Sequence, residues 1–395
     1  MRLSTSWPWA PRALLLLLAA AAVITGCGGG VGTGGTGGNA TAYASGPITG
    51  FGSVIVGGVR FDDAIASVED GDGGRRSRDE LRLGMTVEVD STAISTDATG
   101  SSATASRIRF ESELVGAVGL VNAGGGTFTL LGQVVQVDTT TVFDDRLNGG
   151  LAGLTLGQPV EVYAVFDAAS NRYRATRVEQ STLSAGLRLR GPVSQLDTAA
   201  QSLRVGGQDY SYAGATNIPA GLAVGQFVRL RLGLPGVLAP RWVVQSFSTA
   251  LQALADADGV KVEGLISAFT SAAVFSVNGR PVDASAVAGT AGLAAGVRVE
   301  VQGSLRAGIL RASTIRILSD QDLNDRGFEI TAAISAVSTA QATITLRGVT
   351  VSTARGDLRY ESGTAANLVV GRTVEVRGVL SADRRVLEAT RIRFR

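Results

Sequence analysis

Apolar and polar residues alternate with a period of two over much of the chain after residue 45, in segments rich in valine, isoleucine and threonine. This alternation predicts half-buried β-strands, because successive side chains of a strand point to opposite faces of the sheet. No helical period of useful length competes with it. The pattern therefore predicts an all-β protein.

One strand pattern, Leu-x-x-Gly-x-x followed by an alternating apolar strand, occurs five times. Its glycines recur about every 70 residues, at Gly84, Gly157, Gly225, Gly296 and Gly371. Upstream of each copy the pattern predicts three strands with a glycine-marked hairpin between the second and third, and downstream it predicts one last strand. Five strands in a unit of this size suit a small closed barrel, since closure removes the exposed edges of a sheet.

The order of three strands, a connection and two more strands is that of the oligonucleotide/oligosaccharide-binding (OB) fold. We therefore predict a tandem array of five small, five-stranded OB-like β-barrel repeats, with boundaries at residues 45–112, 113–184, 185–255, 256–325 and 326–395. Cuts near Ser184 or Ala255 are expected to leave folded pieces. A fold of this kind does not by itself fix a function.

Residues 45–62, the Leu-x-x-Gly-x-x-Val-Glu-Val elements and the Ala-x-Arg-Ile endings resemble the exported bacterial family called domain of unknown function 5666. The resemblance covers essentially the whole chain after the tether and is clearest in copies one, four and five. It implies the fold and export and implies no activity. Copy three departs most, since Arg229 replaces the glutamate of the other copies and the Arg-Ile ending is missing.

The N-terminus has the layout of a signal peptide over residues 1–26, with Arg2 and Arg12 near an uninterrupted apolar run at residues 13–24. That run is too short to cross roughly 30 Å of hydrocarbon as a permanent helix. The segment Ile24-Thr25-Gly26-Cys27 resembles the lipobox of bacterial lipoproteins, which implies lipid attachment at Cys27, the only cysteine. The alternative is a soluble periplasmic protein cut nearby.

Residues 27–44 are rich in glycine, threonine and alanine, which predicts a flexible tether after the lipid. Gly28 stands where an inner-membrane retention signal would be aspartate, so the resemblance favours the outer membrane. We expect an exported, membrane-anchored lipoprotein of the cell envelope that faces the periplasm or the cell surface.

Composition excludes several kinds of chemistry. The chain has no histidine and one cysteine, so Ser-His and Cys-His catalysis and imidazole or thiolate metal sites are excluded. The aspartate pairs at residues 62–63 and 144–145 point to opposite faces of a strand and do not converge on one bond. Removing residues 1–26 leaves a formal charge of zero, so there is no global attraction to nucleic acid. We predict a non-catalytic protein without a cofactor or a nucleic-acid partner.

An acidic, glycine-rich segment lies at residues 62–80 and could supply oxygen ligands to calcium. Arg75, Arg76 and Arg78 follow the acidic residues and would repel a cation. A solvated connecting loop is the alternative.

The third copy carries a local positive charge, with six arginines against two aspartates in residues 186–250. Alternation places Arg229 and Trp242 on an outward face, where an arginine beside a tryptophan can stack on a sugar or meet an anionic group. The candidate ligand face comprises Arg188, Arg190, Arg229, Arg231 and Trp242. The alternative is that neighbouring barrels bury this face.

In the other copies, the outward glutamates are predicted to form cross-strand pairs with arginines of the last strand. These pairs are Glu88 with Arg107, Glu161 with Arg177, Glu300 with Arg316, and Glu375 with Arg391. Two function classes remain open. The chain is either a binding module for an envelope component, such as anionic polysaccharide, lipopolysaccharide or a protein, or a structural spacer or assembly factor.

Overall fold

The computed structural model describes residues 42–182, 186–234, 242–248 and 253–395. The predicted signal peptide, Cys27 and residues 28–41 of the predicted tether lie outside these residues. The prediction that residues 42–44 belong to the tether is wrong, because they form the start of β1 and pair with β6. The first repeat contains β1 (Ala42–Phe51), β2 (Val54–Val56), β3 (Val59–Asp62), β4 (Ser67–Asp70), β5 (Arg75–Arg76), β6 (Thr86–Ser91), β7 (Ser95–Asp97) and β8 (Gly100–Phe110). The second contains β9 (Leu114–Asn122), β10 (Thr127–Leu130), β11 (Gln133–Gln136), β12 (Val142–Phe143), β13 (Pro159–Asp167) and β14 (Arg172–Gln180).

The third repeat contains β15 (Leu187–Asp197), β16 (Ser202–Val205), β17 (Gln208–Ser211), β18 (Phe227–Gly233) and β19 (Trp242–Ser248). The fourth contains β20 (Ala257–Ser271), β21 (Val274–Val277), β22 (Arg280–Asp283), β23 (Arg298–Arg306) and β24 (Ile309–Ile317). The fifth contains β25 (Phe328–Ala333), β26 (Ala336–Ser338), β27 (Thr343–Leu346), β28 (Val349–Ser352), β29 (Arg359–Glu361), β30 (Thr373–Leu380) and β31 (Leu387–Phe394).

The same closed circuit of strand pairs recurs in every repeat of the described chain. In the first repeat β1 pairs with β2, β2 with β3, β3 runs parallel to β8, β8 pairs with β6, and β6 returns to β1. The second, third and fourth repeats close in the same way. In the fifth, β25 and β26 together take the place of the first strand. This is the predicted five-strand OB-like barrel, and the tandem barrel architecture is confirmed.

The glycine of each Leu-x-x-Gly turn closes its barrel through a pair of backbone hydrogen bonds. In the first repeat, the Gly84 amide donates to the Ile48 carbonyl at 2.8 Å and the Ile48 amide donates to the Met85 carbonyl at 2.9 Å. Equivalent bonds run from Gly157, Gly225, Gly296 and Gly371 to the first strands of their own repeats. Each of these glycines has a positive φ, +81° at Gly84, which a residue with a Cβ adopts only with strain. The repeated glycine is thus explained by backbone geometry.

The barrels are joined by strand pairing. Residues Ala42 to Ser45 of β1 run parallel to β20 of the fourth repeat, and Gly50 and Phe51 pair with β25 of the fifth. A Cβ at Gly50 would lie 2.4 Å from the Glu329 carbonyl oxygen, so only glycine allows this approach. The second and third repeats pair through β9 and β15.

The hydrophobic cores are shared between the same barrels that strand pairing joins. One buried cluster combines residues of the first and fifth repeats with Val142 and Tyr163 of the second, a further cluster combines the second and third repeats, and Tyr43 of β1 joins the core of the fourth. The described residues between 42 and 395 belong to one compact unit. The array is therefore folded back on itself, with the first barrel in contact with barrels distant in sequence.

One short α-helix, α1 (Asp320–Arg326), lies between the fourth and fifth repeats in the described chain and was not expected from the sequence pattern. The Ser319 hydroxyl and the Asp322 carboxylate form a capping box at its start. Among the described residues, short 3₁₀ turns occur at Arg78–Glu80, Gly150–Gly153 and Ala365–Asn367. Within the described ranges, no helix has the length and apolar character needed to span a membrane.

Candidate functional site at the barrel junction

Arg229, on β18, lies at a junction between the third and first barrels. Its side chain is only 5% exposed and donates to the Asp72 carboxylate at 2.8 Å. It also donates to the Gly71 carbonyl at 3.0 Å and pairs with Glu111. The expectation of an exposed Arg229 is therefore wrong, because the acidic loop of the first repeat covers the outward face of β18 at this residue.

Arg231 pairs with the same Asp72 carboxylate at 3.2 Å, but its side chain is 48% exposed. The acidic segment that could have bound calcium and the basic face that could have bound an anion are thus partners of each other. Asp70, in the same loop, accepts from the amides of Asp72 and Gly74 and pairs with Arg76 at 2.7 Å. Burial raises the pKa of Asp70, but its hydrogen bonds from Arg76 and Gly74 outweigh burial and hold the pKa below its usual value. In the ranges the structure covers, no group of three or more acidic, histidine or cysteine residues could hold a metal ion.

The other two arginines of the predicted face contact the second repeat. Arg190 pairs with Glu113 at 2.9 Å and its guanidinium lies 5.5 Å from the centre of the Phe227 ring. Arg188 pairs with Glu161 at 3.5 Å. The positive charge of the third repeat is thus met by carboxylates of its neighbours.

Trp242 begins β19 opposite Tyr210 and is half-buried. Its side chain packs against the core that the second and third barrels share. The alternative to a ligand face, burial by neighbouring barrels, therefore describes Arg229, and Trp242 is half-buried against the shared core.

Two of the four predicted glutamate–arginine pairs are present. Glu375 pairs with Arg391 at 2.9 Å and Glu300 with Arg316 at 3.8 Å. The other two are wrong and are replaced by different partners: Arg109 with Glu88 at 3.0 Å, Arg107 with Asp90 at 2.5 Å, Arg177 with Glu179 at 2.5 Å and Arg188 with Glu161 at 3.5 Å. The strand register places Glu88 opposite Arg109 and Glu161 opposite Glu179.

A cavity of about 80 Å³ lies where the first four barrels meet. Its charged lining consists of Glu88, Arg109, Glu111, Glu113, Arg190 and Arg280. Glu113 sits between the first and second repeats, and its carboxylate accepts from the Ala164 amide at 2.8 Å and from Arg190. Sequence reasoning missed Glu111 and Glu113, although their position beside the boundary at residue 112 and their charge opposite to that of copy three were available signals.

The carboxyl groups of this cavity differ in their pKa values. Burial raises the pKa of Glu113 to about 7, against the lowering effects of Arg190 and the Ala164 amide. Burial also raises the pKa of Glu111 above its ordinary value. For Glu88 burial acts in the same direction, but the Arg280 guanidinium outweighs it and the pKa falls below its ordinary value. The junction therefore holds a buried ion network with one carboxyl group that titrates near neutral pH.

A larger cavity, of about 300 Å³, lies between the first, second and fifth barrels. Four arginines line it, together with Asp144 and Asp145: Arg82, Arg146, Arg177 and Arg385. Asp144 pairs with Arg146 at 2.6 Å, whereas Asp145 accepts from the Thr350 hydroxyl at 2.9 Å. The two adjacent carboxylates have separate partners.

The closed circuits and their junctions define a protein built of tandem OB-like barrels. Four of its segments, residues 115–179, 190–232, 263–316 and 331–393, match the family described as domain of unknown function (DUF5666). The chain belongs to that family. The comparison with curated proteins finds no match. Among solved structures, the one named "drosophila Unr CSD456" is similar at 14% identity over 53% of this chain and 96% of its own, with a TM-score of 0.15.

Proposed function

We propose that this chain is a lipid-anchored, non-catalytic protein of the bacterial cell envelope whose five barrels form a rigid structural spacer or assembly scaffold. Lipid on Cys27 holds it at the outer membrane, facing the periplasm or the cell surface, and the residues between Cys27 and β1 serve as the tether. The observation that carries this proposal is the burial of Arg229 between Asp72 and Glu111 at a barrel junction.

A spacer keeps a fixed length and direction only if its barrels do not move independently of one another. Strand pairs between β1 and β20 and between β9 and β15 link backbones of different barrels, and such pairing resists bending more strongly than a flexible linker does. The ion pairs at the junction also fix the relative orientation of the barrels. Separation of the barrels would leave the buried arginine without its carboxylate partners, which is strongly unfavourable. The residues that sequence analysis singled out for a ligand thus support the relative placement of barrels.

A second candidate is the binding of an anionic envelope component, and the larger cavity is the observation that favours it. Its four arginines face a space large enough for part of a sugar or a phosphate group. Arg146 is the most accessible of its ion-paired arginines, with a side chain 66% exposed. Anionic polysaccharide or lipopolysaccharide are the ligands of matching charge.

One experiment separates the two candidates. A bacterial strain that lacks the chain is complemented with the wild type, with Arg229→Glu, which opposes Asp72 and Glu111, or with the double variant Arg146→Ala/Arg385→Ala, which alters the cavity. Entry of a hydrophobic dye reports on the envelope, and immunoblots confirm equal protein levels. The spacer proposal expects Arg229→Glu to behave like the deletion and the cavity variant to complement. The reverse result would replace it by the binding proposal.

Direct binding completes the test. Purified lipopolysaccharide and a polyanionic polysaccharide are titrated into the mature protein, with Arg316→Ala as a control for loss of a half-exposed arginine outside the cavity. Saturable binding that Arg146→Ala/Arg385→Ala abolishes and Arg316→Ala leaves intact would support the second candidate. Binding that is equally sensitive to all arginines would indicate only non-specific attraction.

A further inference from the structure

The Leu-x-x-Gly turns of the five repeats are chemically equivalent, but they differ in what covers them. In the first repeat the turn docks on the second barrel. The Leu83 carbonyl accepts from the Arg177 guanidinium at 3.0 Å, and a Cβ at Gly84 would lie 2.4 Å from the Thr176 carbonyl oxygen. Leu83 itself is 1% exposed and belongs to the same buried cluster as Val142 of the second barrel.

The turn of the fourth repeat also approaches the second barrel. A Cβ at Gly296 would lie 2.4 Å from a carboxylate oxygen of Asp167 and 2.7 Å from the Ala169 Cβ. Two of the five turns are therefore used inside the chain as contacts to a neighbouring barrel. The close approach depends on glycine, because any side chain there would overlap the neighbour.

The remaining three turns are open. A Cβ at Gly157, Gly225 or Gly371 would meet no other atom within 4 Å in the part of the chain that the structure describes. The residue before each of these glycines is bulky and apolar and corresponds to the buried Leu83. These residues are exposed: Leu156 by 84%, Val224 by 62% and Val370 by 65%.

Single exposed apolar side chains are common on soluble proteins and need no explanation by themselves. Here, however, the same position of the same repeated element is exposed three times, and its first copy is buried in an interface between two barrels. The open turns thus have the shape and the apolar residue of a docking element that already works within the chain. A barrel of the same family is the partner they fit.

The strand of the fourth barrel that is equivalent to this receptor is also open. The first turn docks on Thr176 and Arg177 of β14, the last strand of the second barrel. The corresponding residues of β24, the last strand of the fourth barrel, are Ser313 and Thr314, and both are exposed. Ile317, near the end of the same strand, is exposed as well. One chain therefore carries both free turns and a free last strand.

We propose that an open Leu-x-x-Gly turn, at Leu156, Val224 or Val370, docks on β24 of a second copy of this chain. Because turn and receptor lie on different repeats, two copies can join reciprocally in an isologous two-fold dimer, or many copies can join head to tail through a heterologous contact. Chains that share a membrane surface would meet at a raised effective concentration, which favours such a contact.

The test measures association of the mature chain, produced with Cys27→Ser so that no lipid is attached. Sedimentation velocity at rising protein concentration, up to about 100 µM, gives the association constant. The wild type is expected to associate. The triple variant Leu156→Asp/Val224→Asp/Val370→Asp is expected to weaken association about tenfold or more, since a charge replaces an apolar anchor in each contact.

The matched control is Ile65→Asp/Leu234→Asp/Val274→Asp, which adds the same charge at exposed apolar positions outside the Leu-x-x-Gly turns. It is expected to associate like the wild type. Ser313→Arg fills the receptor and is expected to weaken association as the turn variants do. Circular dichroism checks that each variant is folded, and the three single turn variants replace the triple one if it is not.

Three results would overturn the proposal: a wild type that stays monomeric at every concentration, a control triple that weakens association as much as the turn variants, or unchanged association in Ser313→Arg. A monomeric wild type would show that the open turns do not bind a second copy of this chain. A weakened control would show that added negative charge alone reduces association. Unchanged association in Ser313→Arg would show that the turns do not bind at β24.

Discussion

The Asp72 carboxylate accepts a hydrogen bond from the Arg229 guanidinium at 2.8 Å across 157 residues of sequence. This bond joins the first barrel to the third. Arg231 reaches the same carboxylate from the same strand, but at an exposed position. The two arginines therefore form a natural comparison, because they share a partner and differ in burial.

We expect Arg229→Ala to lower the free energy of unfolding by up to roughly 3–5 kcal/mol, because it leaves half-buried Glu111 without its ion-pair partner. Arg231→Ala should cost no more than about 1 kcal/mol, since its ion pair is solvent-screened. Urea unfolding of the two variants and the wild type measures both values. Equal losses would contradict the assignment of Arg229 to a buried junction.

Trp242 gives an independent measure of the same face. Removal of residues 1–26 leaves it as the only tryptophan of three, so its fluorescence can be read alone. Because the ring packs against the core of the second and third barrels, we expect emission blue-shifted from the water-exposed limit and only partial quenching by iodide.

The variants of Trp242 complete that prediction. Trp242→Ala should destabilise the protein by less than the roughly 3–5 kcal/mol of a fully buried aromatic, since the ring is half-buried. Trp242→Phe keeps the apolar contact and should lose little. Emission at the exposed limit with unchanged stability in Trp242→Ala would restore the ligand face.

The strands and turns were predictable because their signals are local. Period-two alternation, the hairpin glycines and the Leu-x-x-Gly turn each depend on a few neighbouring residues, and the pairs Gly84–Ile48 and Asn278–Gly279 have the geometry that their residue types favour. The order of strands then followed from the small number of ways to close five strands into a barrel.

The junctions were not predictable because their contacts are distant in sequence. Nothing local indicates that the acidic loop around Asp72 covers Arg229, or that Ala42 to Ser45 pair with β20. The Glu88–Arg107 pair failed for a different reason. Pairing register depends on the length of the connection and on a bulge between Asp90 and Ser91, which alternation does not reveal.

Truncation after Ala255 tests the folded-back arrangement. The sequence alone predicts folded pieces, but the cut removes β20 and β25, which pair with β1. We expect residues 27–255 to keep the second and third barrels, which share a core, and to loosen the first. Hydrogen exchange should show lost protection at Ala42 to Ser45 and retained protection in β13 and β14. Full protection in both places would show that the first barrel is independent.

Cys27 remains the residue on which anchoring depends in our proposal. Cys27→Ser or Cys27→Ala should give an exported but unanchored or unprocessed protein, because the chain has no other cysteine. Radiolabelled palmitate incorporation and fractionation of membranes measure this. Palmitate on the Cys27→Ala protein would contradict the lipid site.

Glu113 predicts how stability depends on pH. Its carboxyl group faces Arg190 and the Ala164 amide inside the cavity that also holds Glu88, Glu111, Arg109 and Arg280. Burial raises its pKa from an ordinary 4.5 to about 7, so the folded protein binds this proton more tightly than the unfolded chain does. The stability that the proton provides is complete below pH 4.5 and is lost as the pH rises to about 7.

We therefore expect Glu113→Gln, which keeps the shape of the side chain without its charge, to flatten the fall in unfolding free energy over this range by up to about 3 kcal/mol. Glu375→Gln is the control, because the stability that Glu375 contributes changes with pH in the opposite direction. Burial raises the pKa of Glu375, but Arg395 and Arg391 outweigh burial and hold it below its ordinary value, so its stabilisation is lost as the pH falls. Urea unfolding between about pH 4 and pH 8 gives the unfolding free energy at each pH. Its fall toward neutral pH should disappear in Glu113→Gln and persist in Glu375→Gln. A slope that persists in that variant would assign the proton to another group at the junction, with Glu111 the next to test because burial raises its pKa as well.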